Sequence, residues 1–289
     1  MTIKDSFDTA GVVSTGGTLG RKDYVPAKDA AVVGRLRAAG AVLMGKTNTP
    51  EFTLSGRSSN LVYGITRNPY NLNYQPGGSS GGAAAIVASG GSPFEIGSDF
   101  GGSIRYPAHA CGIAGIKPTT GRVPRTGHIV DYGGFFDNVQ QVGPLARRVE
   151  DLMTILPLIA GPDYMDAAIV PMPLEGSAEV NLRSLRISFY ADNGIDAAHA
   201  EVQQSIKMCA TLMSEAGAKL TEAKPPMMKQ MNDVFARLRT ADGRACFRWV
   251  LPMERSTSSS RCGPSTWCAA RCIPRWRRLS TRVSTLCRE

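Results

Sequence analysis

Histidine is scarce in this chain, with three among 289 residues, and there is no apolar run of the roughly 18 residues that would mark a membrane-spanning helix. The scarcity of histidine limits the bases available for nucleophilic catalysis, and with no such run no membrane-spanning helix is expected in these residues. The start of the chain has no positive charge followed by an apolar stretch, so no targeting segment is expected. Residues 1–245 hold only Cys111 and Cys209, which fits a reducing, cytoplasmic compartment. No G-x-x-x-x-G-K-[ST] and no G-x-G-x-x-G after a strand is present, which excludes the common phosphate-cradling loops.

The formal charge of +9 suggests a polyanionic partner, but its distribution does not. Residues 246–289 carry nine Arg, no Lys and two Glu, whereas residues 1–245 have a net charge of only +2. The same C-terminal segment holds five of the seven Cys (246, 262, 268, 272, 287) and all three Trp. The spacing of those cysteines matches no common zinc pattern, and the segment has neither helical nor strand periodicity. It is expected to be non-native or disordered sequence outside the fold, such as a reading-frame change would produce. No nucleic-acid or membrane partner is expected for the near-neutral body.

Along residues 1–245 apolar periodicity alternates between two and 3.6. A helix is expected over 29–39, a buried strand over 41–46, a helix over 81–89, and short strands at 94–97 and 113–116. Further helices are expected at 147–160, at 197–216 (Val202, Ile206, Cys209, Leu212 and Met213 inward) and at 227–239, with strands at 185–190 and 219–221. Alternating elements with short joints predict an α/β sandwich with a parallel or mixed sheet.

The chemistry concentrates between Gln75 and Arg122, where Ser79 lies in G-G-S-S-G-G and Ser103 in G-G-S-I-R. Glycines there let the backbone approach other groups closely and let amides converge on one point, as stabilisation of a developing oxyanion requires. Residues 77–81 also satisfy the G-x-S-x-G nucleophile elbow. That motif needs a strand just before the serine and a downstream acid and histidine. The preceding N-L-N-Y-Q-P reads as coil, and only His199 lies late enough, on a helix. His109 and His128 come too early or lack an acid partner. A lysine kept neutral by burial can replace histidine as the base. Lys4, ending an apolar strand fragment beside Asp5, is a candidate that spacing alone does not single out.

Taken together, Gly77–Gly82, Ser103-Ile-Arg, C-G-I-A-G-I-K-P-T-T-G-R-V-P at 111–124 and T-I-K-D at 2–5 closely resemble the amidase signature family. The resemblance covers roughly residues 1–245 and implies an α/β/α sandwich with a mixed sheet, here truncated at both ends. It implies amide hydrolysis through an acyl-enzyme, with Ser103 as nucleophile, Ser79 on a cis peptide as proton relay and neutral Lys4 as base. The N–H groups of Phe100, Gly101, Gly102 and Ser103 would form the oxyanion hole, with Asp99 and Arg105 as supports. It implies a small-molecule amide substrate, no metal and no organic cofactor, and leaves the oligomeric state open, a homodimer included. The glutaminase component of a tRNA-dependent amidotransferase shares the motif, but residues 133–144 lack the S-S-L-D-Q-x-G-P wording associated with it. Set against the family pattern, the chain starts three residues before Lys4 and loses the pattern after residue 245, so it is expected to be a poor enzyme as it stands.

Overall fold

A computed structural model describes residues 1–129, 139–174 and 180–238. The chain divides into Met1–Glu254 and Arg255–Glu289, and every described residue lies in the first unit. The segment expected to be non-native, 246–289, lies outside the described residues.

The centre is a five-stranded mixed sheet. Its strands are β1 (Thr2–Lys4), β2 (Gly45–Thr47), β5 (Phe94–Asp99), β6 (Ala114–Gly115) and β7 (Gln141–Ala146). The order is β2-β1-β5-β7-β6, with β1 parallel to both neighbours and β7 antiparallel to β5 and β6. A small antiparallel hairpin, β3 (Ser59–Asn60) with β4 (Gly64–Ile65), lies in the loop region before the glycine-rich stretch.

Helices cover both faces of the sheet. On one face α1 (Ala31–Ala38) and α4 (Val149–Ile159) bury Val32, Val33, Leu36, Ile155 and Ile159 against Ile3, Ile96 and Val142. On the other, α2 (Gly81–Ala88) and α3 (Arg105–Ala110) pack where Ala83, Ala84, Ile104, Cys111 and Leu145 form a second cluster. The α/β/α layering follows from sheet faces that must each bury their apolar side.

The near-featureless composition of α2 has a steric cause. A Cβ on Gly82 would come within 2.5 Å of the Asn48 backbone nitrogen, so the helix start can lie against the loop after β2 only as glycine. On β5, a Cβ on Gly97 would lie 2.8 Å from Ser80 Oγ. The pair of small contacts lets the serine loop settle directly onto the sheet.

The described C-terminal part adds parallel β8 (Arg186–Phe189) and β9 (Lys219–Glu222), joined by α5 (Ala200–Glu215). Residues 228–238 form a further helix, α6.

Two sequence expectations need correction. The strand expected over 41–46 is paired only from Gly45 to Thr47, with Val42 75% and Met44 62% exposed. β2 is an edge strand, so alternate side chains leading into it face outward. Helix α5 forms as expected, yet none of its residues is buried; Cys209 and Leu212 are exposed, while Val202, Ile206 and Met213 are half-buried. Its described packing is onto the small β8–β9 layer rather than onto the main core.

Candidate active site

The carboxyl ends of the parallel strands β1 and β5 meet the start of α2, and the candidate site lies at that junction, a usual place for ligands in open α/β sheets. Lys4 ends β1 and is fully buried. Its Nζ lies 2.6 Å from Ser79 Oγ, 3.0 Å from Ser80 Oγ and 2.9 Å from Ser98 Oγ, with the Ser98 carbonyl at 3.4 Å. The Ser80 hydroxyl donates to the Ser98 carbonyl at 3.2 Å, which leaves its oxygen to accept from Lys4.

Burial pulls the Lys4 amine down from 10.5 to about 7, although Asp99 and Glu95 favour its charged form. About half of it is therefore neutral at pH 7, and only the neutral amine has the lone pair needed to take a proton. Glu95, fully buried and accepting from the Thr47 hydroxyl at 2.6 Å, is raised by the same desolvation to about 7. Two groups of opposite type are thus both pushed toward their neutral forms in the same dry layer.

Ser79 is 1% exposed and follows the cis peptide Gly78–Ser79. Ser103 is half-buried, in the turn that follows Gly102 (φ +117°) and leads into α3. Its carbonyl accepts from the Ser80 N–H at 3.1 Å, which ties the two glycine–serine loops together. Among the described residues the Ser103 hydroxyl makes no hydrogen bond.

Asp99 shapes the loop that carries Ser103. Its carboxylate accepts from the N–H groups of Gly102 (2.8 Å), Ile104 (3.0 Å) and Arg105 (3.2 Å). Arg105 adds a two-pronged contact, Nε at 3.0 Å and Nη2 at 2.9 Å. Burial alone would raise this carboxyl, but the Arg105 pairing and the loop amides outweigh it and hold Asp99 at about 2.

Gly102, one of the expected oxyanion donors, gives its amide to Asp99 in this structure. The Gly101 and Ser103 amides have no hydrogen-bond partner among the described residues. Phe100 is half-buried, with its ring 5.7 Å from that of Phe235.

Sequence reasoning missed three further members. Ser98 reaches Lys4 directly, His128 Nε2 lies 2.9 Å from Ser98 Oγ, and Gln140 Nε2 lies 3.0 Å from His128 Nδ1. All three are buried. His109 is exposed, and His199 stands at the N-cap position of α5 without a side-chain hydrogen bond to the helix. Only the fold brings His128 to Lys4, through the isolated bridge between Phe7 and His128. No cluster of side chains able to hold a metal ion occurs among the described residues, and none of their helices is long and apolar enough to cross a membrane.

A family model described as Amidase matches residues 1–272. The A component of glutamyl-tRNA(Gln) amidotransferase from Roseiflexus sp. (strain RS-1) is 40% identical over 246 residues, 84% of this chain and 50% of its own length. Among solved structures, fatty acid amide hydrolase superposes with a TM-score of 0.78 at 27% identity, covering 92% of this chain and 46% of that one. Native peptide amidase from Stenotrophomonas maltophilia gives 0.69 at 33% identity, covering 77% and 47%. The chain spans about half the length of the curated relatives it matches.

Proposed function

The chain belongs to the Amidase family, and from that premise we propose that it hydrolyses a carboxylic amide to an acid plus an amine or ammonia through Ser103, Ser79 and Lys4. Ser103 Oγ attacks the amide carbon while its proton passes to Ser79 Oγ, and the Ser79 proton passes to the Lys4 lone pair. The carbon–nitrogen bond then breaks as the leaving nitrogen takes a proton back along the same path. Water attacks the Ser103 ester and releases the acid. The Gly101 and Ser103 N–H groups bind the oxyanion, and Asp99 with Arg105 fixes the loop that aims them. The reaction balances without a metal or organic cofactor. The unpaired thiols of Cys111 and Cys209 support a cytoplasmic setting.

The observation that carries this reading is the 2.6 Å contact between Ser79 Oγ and a fully buried amine held near pH 7. A general base must be within hydrogen-bond reach of its proton and titrate near the working pH, and Lys4 meets both conditions. The test is release of ammonia or amine from a panel of aliphatic and aromatic amides. Ser103→Ala should abolish turnover, and Lys4→Ala at neutral pH should cut it by about 100-fold or more. Full activity in Lys4→Ala would overturn the assignment.

The curated relatives support a second reading, the glutaminase role within a tRNA-dependent amidotransferase, in which ammonia passes to a partner. Residues 133–144 do not carry the wording associated with that role, which favours the first reading. Glutamine hydrolysis measured with and without the other amidotransferase components separates them. Activity on glutamine that appears only in the complex would select the second.

A further inference from the structure

The three buried residues behind Lys4 form a directed chain that the triad chemistry leaves unused. Gln140 presents its amide nitrogen, a donor with no lone pair to offer, to His128 Nδ1 at 3.0 Å. This contact is a hydrogen bond when Nδ1 accepts, in the tautomer that carries the imidazole proton on Nε2. Nε2–H points at Ser98 Oγ at 2.9 Å, and Ser98 Oγ is 2.9 Å from Lys4 Nζ. The ring is held in place by an edge-on contact with Phe7, centroids 4.8 Å apart.

We propose that His128, oriented by Gln140, is a positioning residue that keeps Lys4 in its proton-accepting form by donating to Ser98. A serine oxygen has two acceptor sites. With one filled by His128 Nε2–H, Ser98 is a weaker acceptor for an ammonium at Lys4, and the single lone pair of the neutral amine is left to Ser79. The chain thus disfavours the charged lysine locally, opposing Asp99 and Glu95 on β5, which favour it. Lys46 and Asp5 are further charged groups of this layer, and the Met1 amine feels Glu95 from the start of β1. Lys46 bonds the Phe7 carbonyl and the Thr9 and Ser14 hydroxyls, and Asp5 bonds Thr15.

This inference rests on Lys4 being the base, and its test has one readout that needs no turnover. In the full chain labelled with nitrogen-15 histidine, long-range proton–nitrogen correlation reports the tautomer of each of the three rings. His128 is identified by the signal that His128→Phe removes. The expected result is a neutral ring protonated on Nε2, becoming a tautomer mixture in Gln140→Leu. A ring protonated on Nδ1 in the parent would overturn the proposal.

The second readout is kcat against pH. His128→Phe should lower kcat at pH 7 about tenfold or more and move the acid limb up by about one pH unit, because Ser98 becomes free to stabilise the ammonium. His128→Gln, which returns an N–H to the Nε2 position, should restore most of both. A His128→Phe variant with reduced kcat but an unmoved acid limb would reduce His128 to a packing role and refute the proposal. A parent chain without amide hydrolysis but with the expected tautomer would count against the proposed function and leave the His128 geometry standing.

Discussion

Replacing Lys4 with methionine removes the amine while keeping a flexible apolar chain of similar length, and it separates the cost of that amine from its use. In the folded chain Lys4 titrates at about 7, against 10.5 for an ordinary lysine. Between those values the unfolded chain holds a proton that the folded chain has lost, so this group makes stability rise with pH across that window. Below pH 7 both states are protonated and the whole penalty is present; above 10.5 it is gone. The shift corresponds to about 5 kcal/mol at 1.36 kcal/mol per unit, of which about 3 kcal/mol is recovered between pH 6 and pH 9.

Lys4→Met abolishes this component. It also leaves the Ser79, Ser80 and Ser98 hydroxyls without their nitrogen, at about 1 kcal/mol each. That loss does not vary with pH, so the change in the difference between variant and parent isolates Lys4. Lys46 also titrates unusually, but it is present in both proteins and largely cancels; Glu95 loses the charge of Lys4 in the variant, so its carboxyl moves further up and adds to the change in the same direction. Urea unfolding followed by fluorescence at pH 6 and pH 9 gives the comparison. The variant should gain on the parent at pH 6 and lose about 3 kcal/mol of that advantage by pH 9, while being inactive at both. A difference that stays flat between the two pH values would show that the Lys4 amine is not depressed by burial.

Other consequences follow from the same geometry. Amide hydrolysis should rise with pH through about 7 and then level off, since Lys4 must lose its proton to act; a profile independent of pH between 6 and 8 would contradict this. Asp99→Asn should lower kcat more than it raises KM, because it weakens the Arg105 contact and three loop amide contacts that set the oxyanion donors; an unchanged kcat would remove Asp99 from the account. Gly82→Ala should destabilise the fold by about 2 kcal/mol or more, as its Cβ would overlap the Asn48 backbone, and a melting temperature equal to the parent's would show that the loop after β2 gives way freely.

The elements were legible where apolar periodicity was strong. α1, α2, α4 and β5 lie within a residue or two of their expected places, because Val32, Val33, Leu36, Ile96, Ile155 and Ile159 each have a face to bury. Periodicity does not reveal whether a face finds a partner, which is why α5 appeared more buried in sequence than it is. The two serine loops announce themselves through glycine, and Lys4 was selected by resemblance rather than by pattern. Ser98, His128 and Gln140 carry no local signal at all. They converge because β1, β5 and the start of β7 pack side by side and Phe7 bridges His128, so pairing between distant segments assembles the layer behind Lys4. The availability of the Gly102 amide was equally beyond sequence, since it depends on where the Asp99 carboxylate turns.

In the proposed reaction Ser103 carries the acyl group. Trapping the acyl-enzyme with a slowly turning-over amide or ester and mapping the adduct by peptide mass spectrometry tests it most directly. One acyl group is expected on the peptide containing Ser103, absent in Ser103→Ala and formed far more slowly in Lys4→Met at pH 7. An adduct on Ser79, or one on Ser103 that forms equally fast without Lys4, would contradict it.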